Sequence, residues 1–449
     1  MNELTAVSAG ENSGATNASL EHLFMPFTAN RDFKADPRLL VRAEGMHYWN
    51  PRGDKLLDGC SGLFTHAAGH CRRPIIEAVT AQLAELDYTP HFQFGHPGSF
   101  ELARRLADLT PDPLNHVFFT NSGSESVDTA LKLALAYQRA RGQGQRFRLV
   151  GRERAYHGVN FGGLSVGGMV KNRESFGAGL AGVHHMRHTW LPEQRFSVGR
   201  PRLGGDLADD LERLVATHGG DTIAACIVEP IAGSTGVLVP PEGYLERLRA
   251  ICDAHGILLI FDEVICGFGR TGEAFGAQSF GVTPDLMTMA KALTNGTIPM
   301  GAVALADEIY ETIIGAGAEG SVEFFHGYTY SGHPAATAAG LATLDLYRDE
   351  DLFARGQALS AGFLERVFAL QDLDAVSDIR GYGLLAAVEM APGQVPGQRG
   401  HRLLKRCWEA GLVLRMTGDT AILAPALIAA EDDLDEMVAT LRAEILLCL

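Results

Sequence analysis

Three charged residues stand directly after three short apolar runs. Glu229 follows Ile223–Val228, Asp262 follows 257–261, and Lys291 follows 286–290. Lysine is seldom buried without a partner. At the end of a buried strand its pKa falls and the free amine becomes a nucleophile for a carbonyl. A carboxylate placed like Asp262 needs a positive partner, because an unpaired buried charge is costly. That partner is either a structural cation or the cationic ring nitrogen of a ligand. A fourth group, Ser122-Gly123-Ser124-Glu125, follows a β-prone run at 116–119. Ser122 and Glu125 have capping-box spacing. Gly123 and Ser124 leave backbone N–H groups open to an anion at the positive end of a helix. A nucleophilic amine, an acid for a ring nitrogen and a helix end for a phosphate are together what pyridoxal phosphate requires.

The elements around these residues must bring them together. Runs that are apolar on both faces belong to parallel sheets covered by helices. Between them lie helical patterns, one through Val127, Ala130, Leu131, Ala134 and Leu135, another over Tyr244–His255 between Pro241 and Gly256. Alternating strands and helices predict an open α/β sheet, mostly parallel, with ligands beyond the carboxyl ends of its strands. Glu229, Asp262 and Lys291 should therefore meet in one crevice. The last third differs. Leu403, Leu404, Cys407 and Trp408 predict a helix, 412–416 and 421–427 predict strands about a 417–419 turn, and Leu434 to Ile445 predict a final helix whose start carries the acidic run 431–435. The expected layout is a flexible tail at 1–20, a large domain at 66–335, and a smaller α+β domain built from both chain ends, 21–65 and 336–449.

Composition narrows the function classes. Lys and Arg total 38 and Asp and Glu 54, a net charge of −16, which disfavours nucleic acid. No apolar run reaches the roughly 18 residues of a membrane span. Seven cysteines without a Cys-x-x-Cys pair read as reduced thiols, and residues 1–19 lack the build of a secretory signal, so a cytoplasmic location is expected. His66 and His70 have a metal-like spacing, but no Glu follows His66, and no metal site is predicted. His184, His185 and His188 read as a solvated loop. Gly267, Gly269 and Gly272 spell G-x-G-x-x-G, the basis for an alternative of another class, a nicotinamide-dependent dehydrogenase. That motif needs a helix straight after the glycines; 273–284 contains Gly276, Gly281 and Pro284 with no helical stripe, so the glycines read as shaping an irregular loop.

The segments 259–272 and 284–296, with Asn121–Glu125, Tyr156-His157-Gly158, Glu229-Pro230 and 326–334, resemble class III pyridoxal-phosphate aminotransferases of fold type I. The likeness runs from about residue 21 to the C-terminus. The arm 23–28 and the segment 414–419 point to the ω-amino acid:pyruvate (β-alanine:pyruvate) branch. The resemblance implies that Lys291 is the Schiff-base lysine and proton shuttle, and that Asp262 pairs with the ring nitrogen with Glu229 close behind. It implies that Tyr156 and Val264 sandwich the ring, that Ser122, Gly123, Ser124 and His157 help hold the cofactor, and that Thr329 reaches the phosphate bound in a neighbouring subunit. Arg415 would grip a substrate carboxylate, and Phe24, Phe64, Phe92 and Tyr156 would wall the donor pocket. Phe64 stands where branch members often carry Trp, and Ile422 where β-alanine enzymes carry Gln, which favours a bulkier or more apolar donor than β-alanine. The implied activity is ping-pong transamination from an ω-amino acid or amine to pyruvate, in a homodimer with shared active sites or a tetramer. An aminomutase or decarboxylase on the same fold is the alternative.

Overall fold

The computed structural model describes residues 20–448. The expected tail, 1–20, therefore lies outside the described residues except for Leu20. Ile223–Val228 and Leu258–Asp262 are buried at every position, as strands covered on both faces must be. They lie at the centre of a seven-stranded sheet. Its spatial order is His116–Thr120, Gly301–Leu305, Leu286–Met289, Leu258–Asp262, Ile223–Val228, Arg148–Arg152, Val183–Met186. Gly301–Leu305 runs antiparallel to both neighbours and the other pairings are parallel. The predicted open, mostly parallel α/β sheet is thus the one observed. Helix Gly123–Ala140 packs across its strands, and helix Tyr244–His255 has the predicted bounds.

Two four-stranded sheets flank it in sequence. One joins Arg42–Glu44, His47–Trp49 and Lys55–Asp58 to Leu412–Val413, so residues from both chain ends share one ladder. The other contains Val376–Tyr382, Leu385–Met390, Thr420–Leu423 and Arg415–Thr417. The hairpin 376–390 was not predicted.

Several expectations need correction. The strand predicted at 412–416 breaks at Leu414, because Leu412 and Val413 pair with Leu57 and Asp58 while Arg415–Thr417 pairs with 420–422. The strand predicted at 421–427 stops at Leu423; the next N–H, of Ala424, bonds to Gly59 O, and Pro425 has none to offer a ladder. His184 and His185 are in the edge strand Val183–Met186 rather than a solvated loop. His184 stacks on His218 at 3.9 Å between ring centroids. A five-residue helix, Gly276–Phe280, forms within 273–284, where the sequence shows no helical stripe. Its first N–H groups, from Gly276 and Ala277, donate to the buried Glu263 carboxylate at 2.9 and 2.7 Å. These bonds satisfy two free N–H groups of the helix start, while burial pushes the Glu263 carboxyl up to about 7.

Candidate active site

The carboxyl edge of the central sheet opens into a cavity of about 370 Å³. Glu229 enters it one residue after its strand, Asp262 as the last residue of its strand, and Lys291 two residues after Met289. All three line the same space, as the strand ends predicted.

Asp262 is 5 % exposed and held by three donors. His157 Nδ1 lies 2.8 Å from Oδ2, while Thr288 Oγ1 and the Val264 N–H donate to Oδ1 at 3.0 and 3.2 Å. Thr288 is the register partner of Asp262 on the adjacent parallel strand. Glu229 accepts from the Tyr156 N–H at 3.0 Å. Burial pushes its carboxyl up to about 7, a rise opposed by His157 and reinforced by Asp262. Lys291 has a left-handed backbone, with φ of 50°. Burial pulls its amine down to about 8, against the attraction of Asp262 and Glu229. Its Nζ sits 5.4 Å from the centroid of the Phe64 ring.

The start of helix Gly123–Ala140 faces the same cavity. Ser122 caps it by accepting from the Glu125 N–H at 3.2 Å, and Glu125 in turn accepts from the Asn121 N–H at 2.8 Å. Gly123 and Ser124 line the cavity; Ser122, behind them, serves the cap. A Cβ on Gly123 would stand 2.9 Å from Val264 Cγ1, so a side chain here would crowd Val264 at the cavity wall.

The remaining predicted residues divide. Tyr156, His157, Val264, Phe64 and Arg415 line the cavity. Ile422 is not among the lining residues; it is fully buried and is the cross-strand register partner of Arg415, on the same face of the sheet. Phe24 and Phe92 are 89 % and 55 % exposed, Thr329 is exposed, and none of them lines the cavity of its own chain. The arm contributes Pro26, Phe27 and Thr28 in place of Phe24. Phe92 and Thr329 share an outer ridge: Phe92 packs against Gly327, and Tyr88 Oη donates to Thr329 O at 3.0 Å.

Leu63, Met169, Asn172, Ser234 and Ile265 also line the cavity and were not predicted. Nor was Thr288, although one hydroxyl in the apolar run Leu286–Met289 is a legible signal of a buried polar partner. Gly267, Gly269 and Gly272 pack against Phe275, Phe353 and Gln357, away from the cavity. His70 Nε2 bonds to Asp58 at 2.6 Å, and among the described residues no group of three potential ligands stands ready for a metal.

The family described as aminotransferase class-III matches residues 28–445. The chain belongs to that family. It is 55 % identical over 425 residues to an omega-aminotransferase of Caulobacter vibrioides, covering 94 % of this chain and 97 % of that protein. It is 50 % identical to an omega-amino acid--pyruvate aminotransferase of Pseudomonas putida, covering 95 % and 96 %. An (S)-enantioselective omega-transaminase from Thermomicrobium roseum superposes with a TM-score of 0.91 at 36 % identity, covering 96 % of this chain and 98 % of that one.

The aminotransferase is pyridoxal-phosphate-dependent, as its family is. The cavity fits that cofactor on its own terms. It offers an amine with lowered pKa, a carboxylate fixed by three donors, and a helix start lined by Gly123 and Ser124 at the cavity. In addition, the buried His157 Nε2 has no hydrogen-bond partner among the described residues. No helix among the described residues is long and apolar enough to cross a membrane.

Proposed function

We propose that the aminotransferase moves an amino group from an ω-amino acid or an apolar amine to pyruvate, giving alanine, by a ping-pong mechanism. The convergence of Lys291, Asp262, Glu229 and Arg415 on one cavity carries this reading. The names of the relatives at 55 % and 50 % identity support it. Bound pyridoxal phosphate supplies the electron sink for deprotonation at the donor carbon. In this role the Lys291 amine anchors the cofactor and, once released, moves the proton. Asp262, oriented by His157 and Thr288, keeps a ring nitrogen cationic. Gly123 and Ser124 receive the phosphate, Tyr156 and Val264 flank the ring, and Arg415 takes a carboxylate by a two-pronged contact. The apolar-donor preference rests chiefly on Phe64, which lines the cavity, whereas Ile422 is buried and is not among the lining residues.

The assembly in this reading is a homodimer, with Phe92 and Thr329 completing the partner's cavity; their exposure on a shared ridge supports that placement. The pairing of Leu412–Val413 with Lys55–Asp58 supports a small domain made from 21–65 and 336–449, set against a large domain at 66–335. A cytoplasmic location accords with seven free cysteines, six of them buried.

The test is a donor and acceptor panel on the purified protein. Alanine with a carbonyl acceptor should yield pyruvate, and borohydride should fix cofactor mass on the peptide bearing Lys291. Carbon dioxide or an isomer without pyruvate would favour a decarboxylase or aminomutase instead.

A further inference from the structure

The wall opposite the cofactor groups is built on a backbone held away from its preferred conformation. Ser61, Gly62 and Phe64 have φ of 47°, 67° and 62°. Residues with a Cβ hold such angles only where the surroundings over-determine them, and such strain gathers at functional sites. The restraint here is Asp58. Its carboxylate is 1 % exposed and accepts from the Cys60 N–H at 2.9 Å and the Gly62 N–H at 2.5 Å, with His70 Nε2 at 2.6 Å. Among the described residues no lysine or arginine forms a salt bridge with it, and the Tyr48 hydroxyl adds a further hydrogen bond to these donors. His70 is buried as well. Its backbone bridges Gly45, and its ring packs on Tyr48 and His66 at 4.3 and 4.1 Å between centroids.

The same stretch is bonded to the lysine side. Asn295 accepts from the Ala68 N–H at 2.9 Å and donates to Gly69 O at 2.7 Å, and the Gly296 N–H donates to Lys291 O at 3.1 Å. The Phe64 turn and the Lys291 turn are thus tied to one rigid piece, 66–70. Neither Asp58 nor His70 lines the cavity. We propose that Asp58 and His70 are positioning residues: they hold the strained 60–64 turn so that the Phe64 ring covers the Lys291 amine and sets the width of the donor pocket. This rests on the transaminase reading above and adds what governs its donor choice.

The test compares the wild type with D58N, H70L, H70Q and F64A, each first checked for folding by thermal unfolding. The holoenzymes are assayed for the ratio of kcat/KM with a bulky aryl-substituted amine to that with β-alanine. The apoproteins are titrated for the pH midpoint at which an amine-directed reagent modifies Lys291, read by peptide mass. D58N and H70L should change the donor ratio at least tenfold, in the direction that F64A changes it, and should raise the Lys291 midpoint as water reaches the amine. The titratable groups facing Lys291, namely Asp262, Glu229, Cys60 and Cys266, are the same in every variant. Loss of the Asp58 charge alone would lower the midpoint, so a rise reports solvent entry. H70Q, which can still donate to Asp58, should restore both readings. Wild-type ratios and midpoints in D58N and H70L, or an equal loss with both donors at an unchanged midpoint, would overturn the proposal. If D58N does not fold, the H70L and H70Q pair decides. If the wild type shows no transamination, that reading fails, and the midpoint still judges the clamp.

Discussion

At the floor of the cavity Asp262 has three hydrogen-bond donors within its own chain, whereas at the rim Phe24, Phe92 and Thr329 present open surface. The floor is made of strand ends. Backbone ladders place those ends relative to one another, so the mutual placement of Glu229, Asp262 and Lys291 is set within one chain. The rim is made of an N-terminal arm and a loop on an outer ridge, and no ladder ties them to the cavity. The two regions should therefore answer differently to mutation. Floor changes should act on chemistry in every copy, and rim changes should depend on assembly.

The largest break should come from K291A. Without the amine, alanine formation should fall by at least about 10³-fold, the upper range for a positioned proton-transfer and nucleophilic group. Borohydride should then leave no cofactor mass on that peptide. D262N should follow, with kcat lower by about 10²–10³-fold, the scale seen when one preorganised electrostatic group is removed; single-turnover rates would report it.

The pH dependence sharpens the same side of the comparison. The Lys291 amine is pulled down to about 8 by burial, and its protonated form cannot attack a carbonyl. Uptake of pyridoxal phosphate by the apoprotein should rise about tenfold per pH unit below 8 and level off above it. Continued rise toward the ordinary value of 10.5 would mean the amine is solvated. Between floor and rim, R415A should raise KM for pyruvate by roughly 10–100-fold, the loss of a charge-assisted bidentate contact, with little change for an uncharged amine. The smallest effect belongs to T329V, about tenfold weaker cofactor retention, as expected for one hydrogen bond to a charged group. Mixing T329V with K291A chains should restore one full site per dimer, measured as tight cofactor bound per chain. No restoration would place Thr329 outside any shared site.

Much of the floor was legible before any coordinates. Ile223–Val228 and the runs ending at Asp262 and Lys291 are too apolar for a half-exposed sheet, so their ends had to face a common edge. The Ser122–Glu125 cap was visible from spacing alone. The hydroxyl of Thr288 in an apolar run signals a buried polar partner, but which partner it meets, Asp262, depends on parallel register, which has no local signature. The break at Leu414 was hidden for a related reason, since 412–413 and 415–417 serve different sheets.

Residue type and periodicity on their own determined the sheet class, the strand-end placement of Glu229, Asp262 and Lys291, and the helix that opens toward an anion. Those are local matters, set by which side chains tolerate burial and which backbone groups need partners. Tertiary structure alone decided that His157 and Thr288 orient Asp262, that Asp58 restrains the Phe64 turn, and that Phe92 and Thr329 face outward. The partners of Asp262 lie 26 and 105 residues away and His70 lies 12 residues from Asp58, and the free energy of such contacts is set by packing rather than by immediate sequence neighbours.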